Sequence, residues 1–129
     1  MRLFRWTEFV IPSSLNLRLN LKLLLEPVKP KETRERIELG LHEALVNAVV
    51  HGNSNNPGKF IRIRRIITPN WLIWQIQDQG DGIKLSKRSF SLPSELEAEN
   101  GRGLFLIHEC FDDVRWSTKG NRLQIACRR

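Results

Sequence analysis

The residues of this chain that are best suited to chemistry lie in three short segments. In the first, Glu43, Asn47 and His51 are spaced four residues apart, so in a helix each lies about one turn from the last. A carboxylate and a carboxamide one turn apart suit Mg²⁺, which prefers oxygen ligands and keeps several waters. For Glu43 alone, a solvated helix face is the ordinary alternative. Asn47 counts mildly against that alternative, because asparagine is a mediocre helix former and needs a reason to stand in mid-helix.

The other two segments are rich in glycine. Asp78-x-Gly80-x-Gly82 directly follows a predicted strand. Its glycines permit positive φ and a close approach of backbone to a ligand, and its carboxylate can accept a hydrogen bond from an exocyclic amine such as that of adenine. Residues 101–103, Gly-Arg-Gly, open a predicted helix, where free N–H groups and Arg102 favour a phosphate. Taken singly, each segment also fits an ordinary turn or helix start.

The elements that must position these segments are predicted from hydrophobic periodicity. Residues 15–25 fit both strand and helix spacing, and their composition without β-branched residues favours a helix. Ser13 and Ser14 are predicted to cap its start, and Gly52 to cap the end of the long helix. The predicted order is strand 2–11, helix 15–25, helix 31–51, a hairpin of strands 60–68 and 71–77, a loop over 84–100, a short helix from 101, and strands 114–118 and 122–126. This order predicts an α/β (α+β) two-layer sandwich with helices on one face of a mostly antiparallel sheet.

Length and composition bound the class of protein. The 129 residues fit one domain, with 40% hydrophobic residues and a formal net charge of +7. No apolar run exceeds four residues, whereas a membrane span needs ~20, and the N-terminus lacks the pattern of a signal peptide. Cys110 and Cys127 are too few for a disulfide framework or a zinc site, so we expect buried thiols of a reduced, cytoplasmic protein.

Together and in order, the three segments resemble the N box and the two glycine boxes of the GHKL (Bergerat-fold) ATPases. The matching sequences are E-x-x-x-N-A-x-x-H-G-N, then D-x-G-x-G-I, then G-R-G-L-F-L-I. Within that superfamily the chain looks most like the anti-sigma factor serine kinases, bacterial regulators that hold a sigma factor and phosphorylate an anti-anti-sigma (STAS-type) protein. The resemblance covers nearly the whole chain. It implies a single histidine kinase-like ATPase domain over residues 1–129, with an ATP lid over 84–100.

The resemblance implies a role for each matching residue. Glu43 would be the catalytic base that takes the proton from a serine hydroxyl. Asn47 would coordinate Mg²⁺, with Glu43 as a further ligand through water, and Asp78 would bind the adenine amine. The other positions implied to contact ATP are His51, Asn53, Gly80, Gly82, Ile83, Gly101, Arg102, Gly103, Leu104 and Asn121. Where the family often has Gly-Thr, this chain has Gly120-Asn121, and asparagine can still donate and accept hydrogen bonds.

The function that the resemblance implies is an anti-sigma factor that is also an ATP-dependent protein-serine kinase. Its cofactors would be ATP and Mg²⁺, and its partners a sigma factor and an anti-anti-sigma protein. Relatives commonly pair, and residues 15–25 offer spare apolar surface for a homodimer. The alternative is a non-catalytic module in which a nucleotide organises a protein-binding surface. The ATP-binding part of a histidine kinase ranks lower, because only 30 residues precede the long helix.

A local basic cluster stands outside the three segments. It consists of Lys59, Arg62, Arg64 and Arg65, with no acidic residue in or beside it. A solvated strand face is the ordinary interpretation of such a cluster. As an interaction site it fits an acidic protein better than nucleic acid, although the net charge of +7 by itself suggests polyanions in general.

Overall fold

The structure is a computed structural model that describes residues 4–82 and 99–129, and for residues 99–102 the backbone alone. The elements in chain order are β1 (Arg5–Pro12), α1 (Arg18–Leu24), α2 (Lys31–Asn47), a π-helical turn (Ala48–Gly52), β2 (Phe60–Ile67), β3 (Trp71–Gln77), α3 (Glu99–Cys110), β4 (Asp113–Trp116) and β5 (Arg122–Arg128). Within this described part of the chain, no helix is long and apolar enough to cross a membrane.

The five strands form one sheet in the order β1-β2-β3-β5-β4. All four strand pairings are antiparallel. The predicted hairpin of β2 and β3 is confirmed. Its strand β2 also pairs with β1, so Ile63 is opposite Phe9 on β1 and opposite Ile76 on β3. The predicted fold class is therefore confirmed.

The three helices cover one face of this sheet, because alternate strand residues are buried there. Ile61 and Ile63 of β2 are fully buried, as are Trp74 of β3 and Ile125 of β5. The predicted apolar stripe of the long helix packs on them; its members Ile37, Leu41, Ala44, Leu45, Ala48 and Val49 are all buried. Burying apolar surface of this kind is the main favourable term in folding.

Polar contacts fix the helices on the sheet. The indole Nε1 of Trp74 donates a hydrogen bond to the carbonyl of Leu24, at 3.2 Å, which ties the end of α1 to β3. The ring of Trp74 meets Phe111 edge-on, with 6.1 Å between centroids. Arg36 of α2 donates to the carbonyl of Cys110 at 2.8 Å, so the end of α3 is held against α2.

Both cysteines are free and buried, as predicted. Burial raises the pKa of the Cys110 thiol and that of the Cys127 thiol. A raised pKa keeps a thiol in its unreactive protonated form.

The structure corrects the predicted caps. Residues 15–25 do contain a helix, α1, but neither Ser13 nor Ser14 caps it, because the N-cap position is Leu17. Ser14 instead accepts a hydrogen bond from the backbone N–H of Asn16, and Ser13 is buried. Gly52 is not a left-handed helix cap either, since the glycines with positive φ in the described residues are Gly82 and Gly120.

The long helix changes its winding before it ends. The α-helical hydrogen bonding stops at Asn47, and the next five residues form the π-helical turn, in which the N–H of Asn53 donates to the carbonyl of Ala48 at 2.8 Å. A π-helical turn inserts a residue into the helix, and such turns occur often at functional sites. Gly52, the last residue of this turn, lies against Asp78, which follows β3.

The glycine-rich segment at residues 101–103 lies inside a helix rather than at its beginning. The helix α3 begins at Glu99, two residues before the predicted start, so the loop predicted over 84–100 is too long at its end. The rest of that loop, the predicted ATP lid, lies outside the described residues.

Candidate functional site

Two of the predicted site residues, Glu43 and Asn47, converge on one point of α3. A Cβ atom placed on Gly103 would lie 3.3 Å from Oδ1 of Asn47 and 3.4 Å from Oε2 of Glu43. Both side chains are partly buried. The absence of a side chain at Gly103 therefore lets the oxygen atoms of α2 lie directly against the backbone of α3. The helix α2 holds Glu43 and Asn47 one turn apart, and their roles toward a metal stay a prediction.

The Asp78 carboxylate lies against the end of the long helix. The N–H of Gly80 donates to Oδ1 of Asp78 at 2.8 Å. A Cβ atom on Gly52 would collide with that carboxylate, and one on Gly80 would collide with the carbonyl of Gly52. Glycine at both positions is therefore required by close approach of the two segments. Gly52, which the sequence suggests as a helix cap, is instead the residue against which the Asp78 carboxylate packs.

Burial raises the pKa of the Asp78 carboxyl, and the hydrogen bond from Gly80 and the charges of Lys59 and Lys119 only partly oppose this rise. The carboxylate is thus poorly solvated and has capacity for further donors. A hydrogen bond from an exocyclic amine is stronger at such a partly buried acceptor than at one fully in water.

A buried amide locks the Asp78 segment in place. The side chain of Asn53 has no exposed surface. Its Nδ2 donates to Oγ of Ser13 at 3.0 Å and to the carbonyl of Phe60 at 3.1 Å, and its Oδ1 accepts from the N–H of Gln79 at 2.7 Å. The side chain of Gln79 adds a second contact between these segments, because its Oε1 accepts a hydrogen bond from the N–H of Phe60 at 2.6 Å.

Asn53 therefore joins three segments: the end of β1, the start of β2 and the end of β3. The sequence predicts Asn53 beside a ligand. In the structure its amide is used within the protein, so we assign it a positioning role.

The other side of the Asp78 segment rests on the turn between β4 and β5. The N–H of Asp78 donates to the carbonyl of Asn121 at 3.0 Å. Gly82 has φ of +95°, and a Cβ atom there would collide with the carbonyl of Lys119. The position thus needs glycine for two reasons, the left-handed backbone and the contact. Asn121 is placed at the border of the site by this turn.

The remaining predicted site residues divide into three groups. His51 is exposed in the π-helical turn, and no described contact joins it to Glu43 or Asn47. Gly103 and Leu104 are buried in α3, past the first turn of a helix that begins at Glu99, where backbone N–H groups are bonded within the helix. The predicted donation of these two N–H groups to phosphate therefore conflicts with α3 as it stands. Ile83 and the side chain of Arg102 lie outside the described residues, and of Gly101 only the helical backbone is described.

The donor set fits a nucleotide with Mg²⁺. Glu43 and Asn47 supply oxygen atoms, the ligands that Mg²⁺ prefers, and Mg²⁺ usually keeps several waters and takes one or two protein ligands. Asp78 supplies an acceptor at the other end of the site. Within the described residues, no three His, Cys, Asp or Glu side chains group into a metal cluster.

Comparison with known proteins gives two matches. Residues 23–127 match the family described as "Histidine kinase-like ATPase domain". The chain is also 30% identical over 89 residues to a protein named "Anti-sigma F factor" from Anoxybacillus flavithermus (strain DSM 21510 / WK1). That alignment covers 66% of this chain and 60% of the relative.

Replacing Asn53 with Ala should lower the free energy of unfolding by about 1–3 kcal/mol or more, because the N–H of Gln79 and the carbonyl of Phe60 lose a buried partner. Urea denaturation measures this loss. As a control, Asn56→Ala removes an amide of the same type whose Oδ1 accepts from the N–H of Gly58 at an exposed turn. The Asn56 variant should change stability by about 0.5 kcal/mol or less. Equal effects of the two changes would contradict the positioning role of Asn53.

Asp78→Asn should make the protein more stable at neutral pH. A carboxyl with a raised pKa in the folded state holds its proton more tightly there than in the unfolded chain, so its contribution to stability falls as pH rises through the folded pKa. Asparagine keeps an oxygen for the N–H of Gly80 and has no charge to desolvate. Thermal melting across a pH series should show a gap between variant and wild type that is small below the ordinary Asp pKa and grows with pH. A gap that shrinks as pH rises would contradict this sign.

Proposed function

Because this chain belongs to the histidine kinase-like ATPase family, we propose that it is an ATP-binding anti-sigma regulator with protein-serine kinase activity. The observation that carries the proposal is the convergence of Glu43 and Asn47 of α2 on Gly103 of α3. The partly buried Asp78 carboxylate lies against Gly52, at the far end of the π-helical turn that follows α2. The name of the relative supplies the biological setting, namely control of a sigma factor.

In this proposal the chain's own residues hold both ends of the nucleotide. Asp78 accepts a hydrogen bond from the exocyclic amine of adenine. Asn47 is a ligand to Mg²⁺, with Glu43 beside it. When bound, Mg²⁺ neutralises charge on the phosphates, which is the larger part of what phosphoryl transfer asks of a site.

Glu43 has the second role of base. The seryl oxygen of a substrate protein attacks the γ-phosphorus, the bond from that phosphorus to the bridging oxygen breaks, and ADP leaves with the electron pair. The proton of the hydroxyl passes to the carboxylate of Glu43. A general base of this kind typically contributes 10²–10⁴-fold to the rate. Asn47, one turn away, is neutral and does not compete for the proton.

The protein partners follow from the same setting. We propose that the chain holds a sigma factor and that its phosphate acceptor is a serine of an anti-anti-sigma protein of the STAS type. A cytoplasmic location accords with both partners and with two free, buried thiols.

The test measures transfer from Mg-ATP to purified STAS-type proteins encoded beside this gene. Glu43→Ala and Glu43→Gln should each lower the transfer rate by about 10²–10⁴-fold, while calorimetry with Mg-ATP should show binding that is changed far less. The matched control is Glu38→Ala, which removes an exposed carboxylate from the same helix. It should transfer phosphate at the wild-type rate.

Two results would contradict the proposal in different ways. Transfer that survives Glu43→Ala would remove Glu43 from the role of base. Wild-type protein that binds Mg-ATP and transfers nothing to any of these proteins would support a non-catalytic module, in which the nucleotide organises a protein-binding surface.

A further inference from the structure

No described element covers the face of the sheet that points away from the helices, and this face carries arginines from three strands. Alternation and register place five exposed arginines there: Arg62 and Arg64 on β2, Arg115 on β4, and Arg122 and Arg128 on β5. The carboxylates that the five described strands place on the same face are Glu8 and Asp113. We call this surface the outer sheet face.

The arginines of the outer sheet face are not the same set as the basic cluster that the sequence predicts. That cluster is split by the alternation of β2, because Arg65 points to the helical side. There Arg65 donates to the carbonyl of Leu23 at 2.7 Å, and its guanidinium lies 5.3 Å from the centre of the Phe9 ring. Arg62 and Arg64 face outward and join the arginines of β4 and β5, which lie more than 50 residues further along the chain.

The outer sheet face also has exposed apolar side chains. Trp6 is 56% exposed, Val10 58% and Phe60 52%. In the register, Trp6 is opposite Ile66, which is opposite Ile73, so an apolar row crosses the first three strands. Large exposed apolar groups beside charged ones are typical of protein-binding surfaces, in which Trp, Phe and Arg are enriched.

We propose that the outer sheet face is the docking surface for a protein partner whose matching surface is acidic with an apolar centre. Charge complementarity carries the choice of partner, because five arginines outnumber two carboxylates on this face. The inference rests on the proposed function in one respect only, that the chain acts on a protein partner.

A second copy of this chain does not fit the outer sheet face. Face-to-face pairing would bring two sets of five arginines together, and juxtaposed like charges are strongly unfavourable at an interface. The carboxylates that could compensate are already paired: Glu8 contacts Arg62 at 3.3 Å and Arg64 at 3.4 Å, and Asp113 contacts Arg115 at 2.9 Å.

Nucleic acid fits less well than protein. Bases would need free aromatic faces on which to stack, but the guanidinium of Arg64 lies over the ring of Trp6 at 5.9 Å, and that of Arg128 over Trp71 at 5.4 Å. Glu8, between Arg62 and Arg64, would repel phosphates. The apolar row through Ile66 gains by contact with an apolar partner surface and not with a sugar-phosphate backbone.

Site-specific crosslinking in the organism that carries the gene tests the inference. The photo-crosslinker p-benzoyl-phenylalanine replaces Val10 on the outer sheet face, or Leu39, which is 48% exposed on α2. We expect an adduct with an acidic protein, identified by mass spectrometry, at Val10 and not at Leu39. The adduct should disappear in Arg64→Glu/Arg128→Glu and persist in Arg18→Glu/Lys22→Glu, a double reversal of equal charge on α1.

Binding of the purified adduct partner to the full chain then gives a magnitude. Arg64→Glu/Arg128→Glu should weaken binding about tenfold or more, because it places like charges across the interface. Arg18→Glu/Lys22→Glu should change it by about twofold or less. Mg-ATP affinity and melting temperature are measured for both variants, and neither residue pair touches the described part of the nucleotide site.

The outcomes separate this inference from the proposed function. No adduct at Val10, an adduct with a second copy or with nucleic acid, or equal loss of binding in the two double variants would overturn the docking surface. A sigma factor that crosslinks at Leu39 and not at Val10 would overturn it while supporting the proposed function. An acidic protein at Val10 that is neither a sigma factor nor a STAS-type protein would support the docking surface and contradict the proposed partners.

Discussion

The side-chain amide of Asn53 is the contact on which the geometry of the site depends. It is fully buried, and it holds the end of β1, the start of β2 and the loop after β3 in one place. A buried polar group of this kind stabilises the fold only when its hydrogen bonds are made, because an unmade bond costs the full desolvation of the group. The loop that carries Asp78 therefore has one well-defined position. That position is set from the same segment of chain that ends the helix carrying Glu43 and Asn47.

The π-helical turn connects the two parts of the site. It starts directly after Asn47 and ends at Gly52, against which Asp78 packs. The two chemical ends of the site, oxygen atoms for a metal and an acceptor for a base, are thereby connected through five residues. The cost of this arrangement is electrostatic. The Asp78 carboxyl lies where burial raises its pKa, so a group suited to bind an amine destabilises the protein when no ligand is bound.

Much of the fold could be predicted because local patterns and tertiary packing agree. Residues 15–25 contain the helix α1 (Arg18–Leu24) despite the alternating spacing of their leucines, and the strands of the hairpin alternate as their sequence indicates. The predicted helix caps at Ser13 and Gly52 are wrong because both residues make tertiary contacts instead. Ser13 accepts a hydrogen bond from Asn53, and Gly52 packs against Asp78. These contacts join residues that are far apart in sequence. That Glu43 and Asn47 lie one turn apart needed only helical spacing, whereas their contact with Gly103 depends on the packing of α3 against α2. The role of Asn53 could not be predicted, since three of its partners come from other segments.

The outer sheet face shows the same limit. Sequence proximity groups Arg62, Arg64 and Arg65, whereas strand alternation separates the last from the other two. The arginines of β4 and β5 join them only through the strand order β1-β2-β3-β5-β4. Charge along the chain is a poor guide to charge on a surface when a sheet has two unlike faces.

Calorimetric titration of the purified chain with Mg-ATP and with Mg-GTP tests the central claim most directly. Asp78 offers an acceptor, which suits the amine of adenine and repels the carbonyl that guanine presents at the same position. We predict one ATP bound per chain and GTP bound at least about tenfold more weakly. The absence of any heat with Mg-ATP, or equal affinity for the two nucleotides, would contradict the assignment of this site.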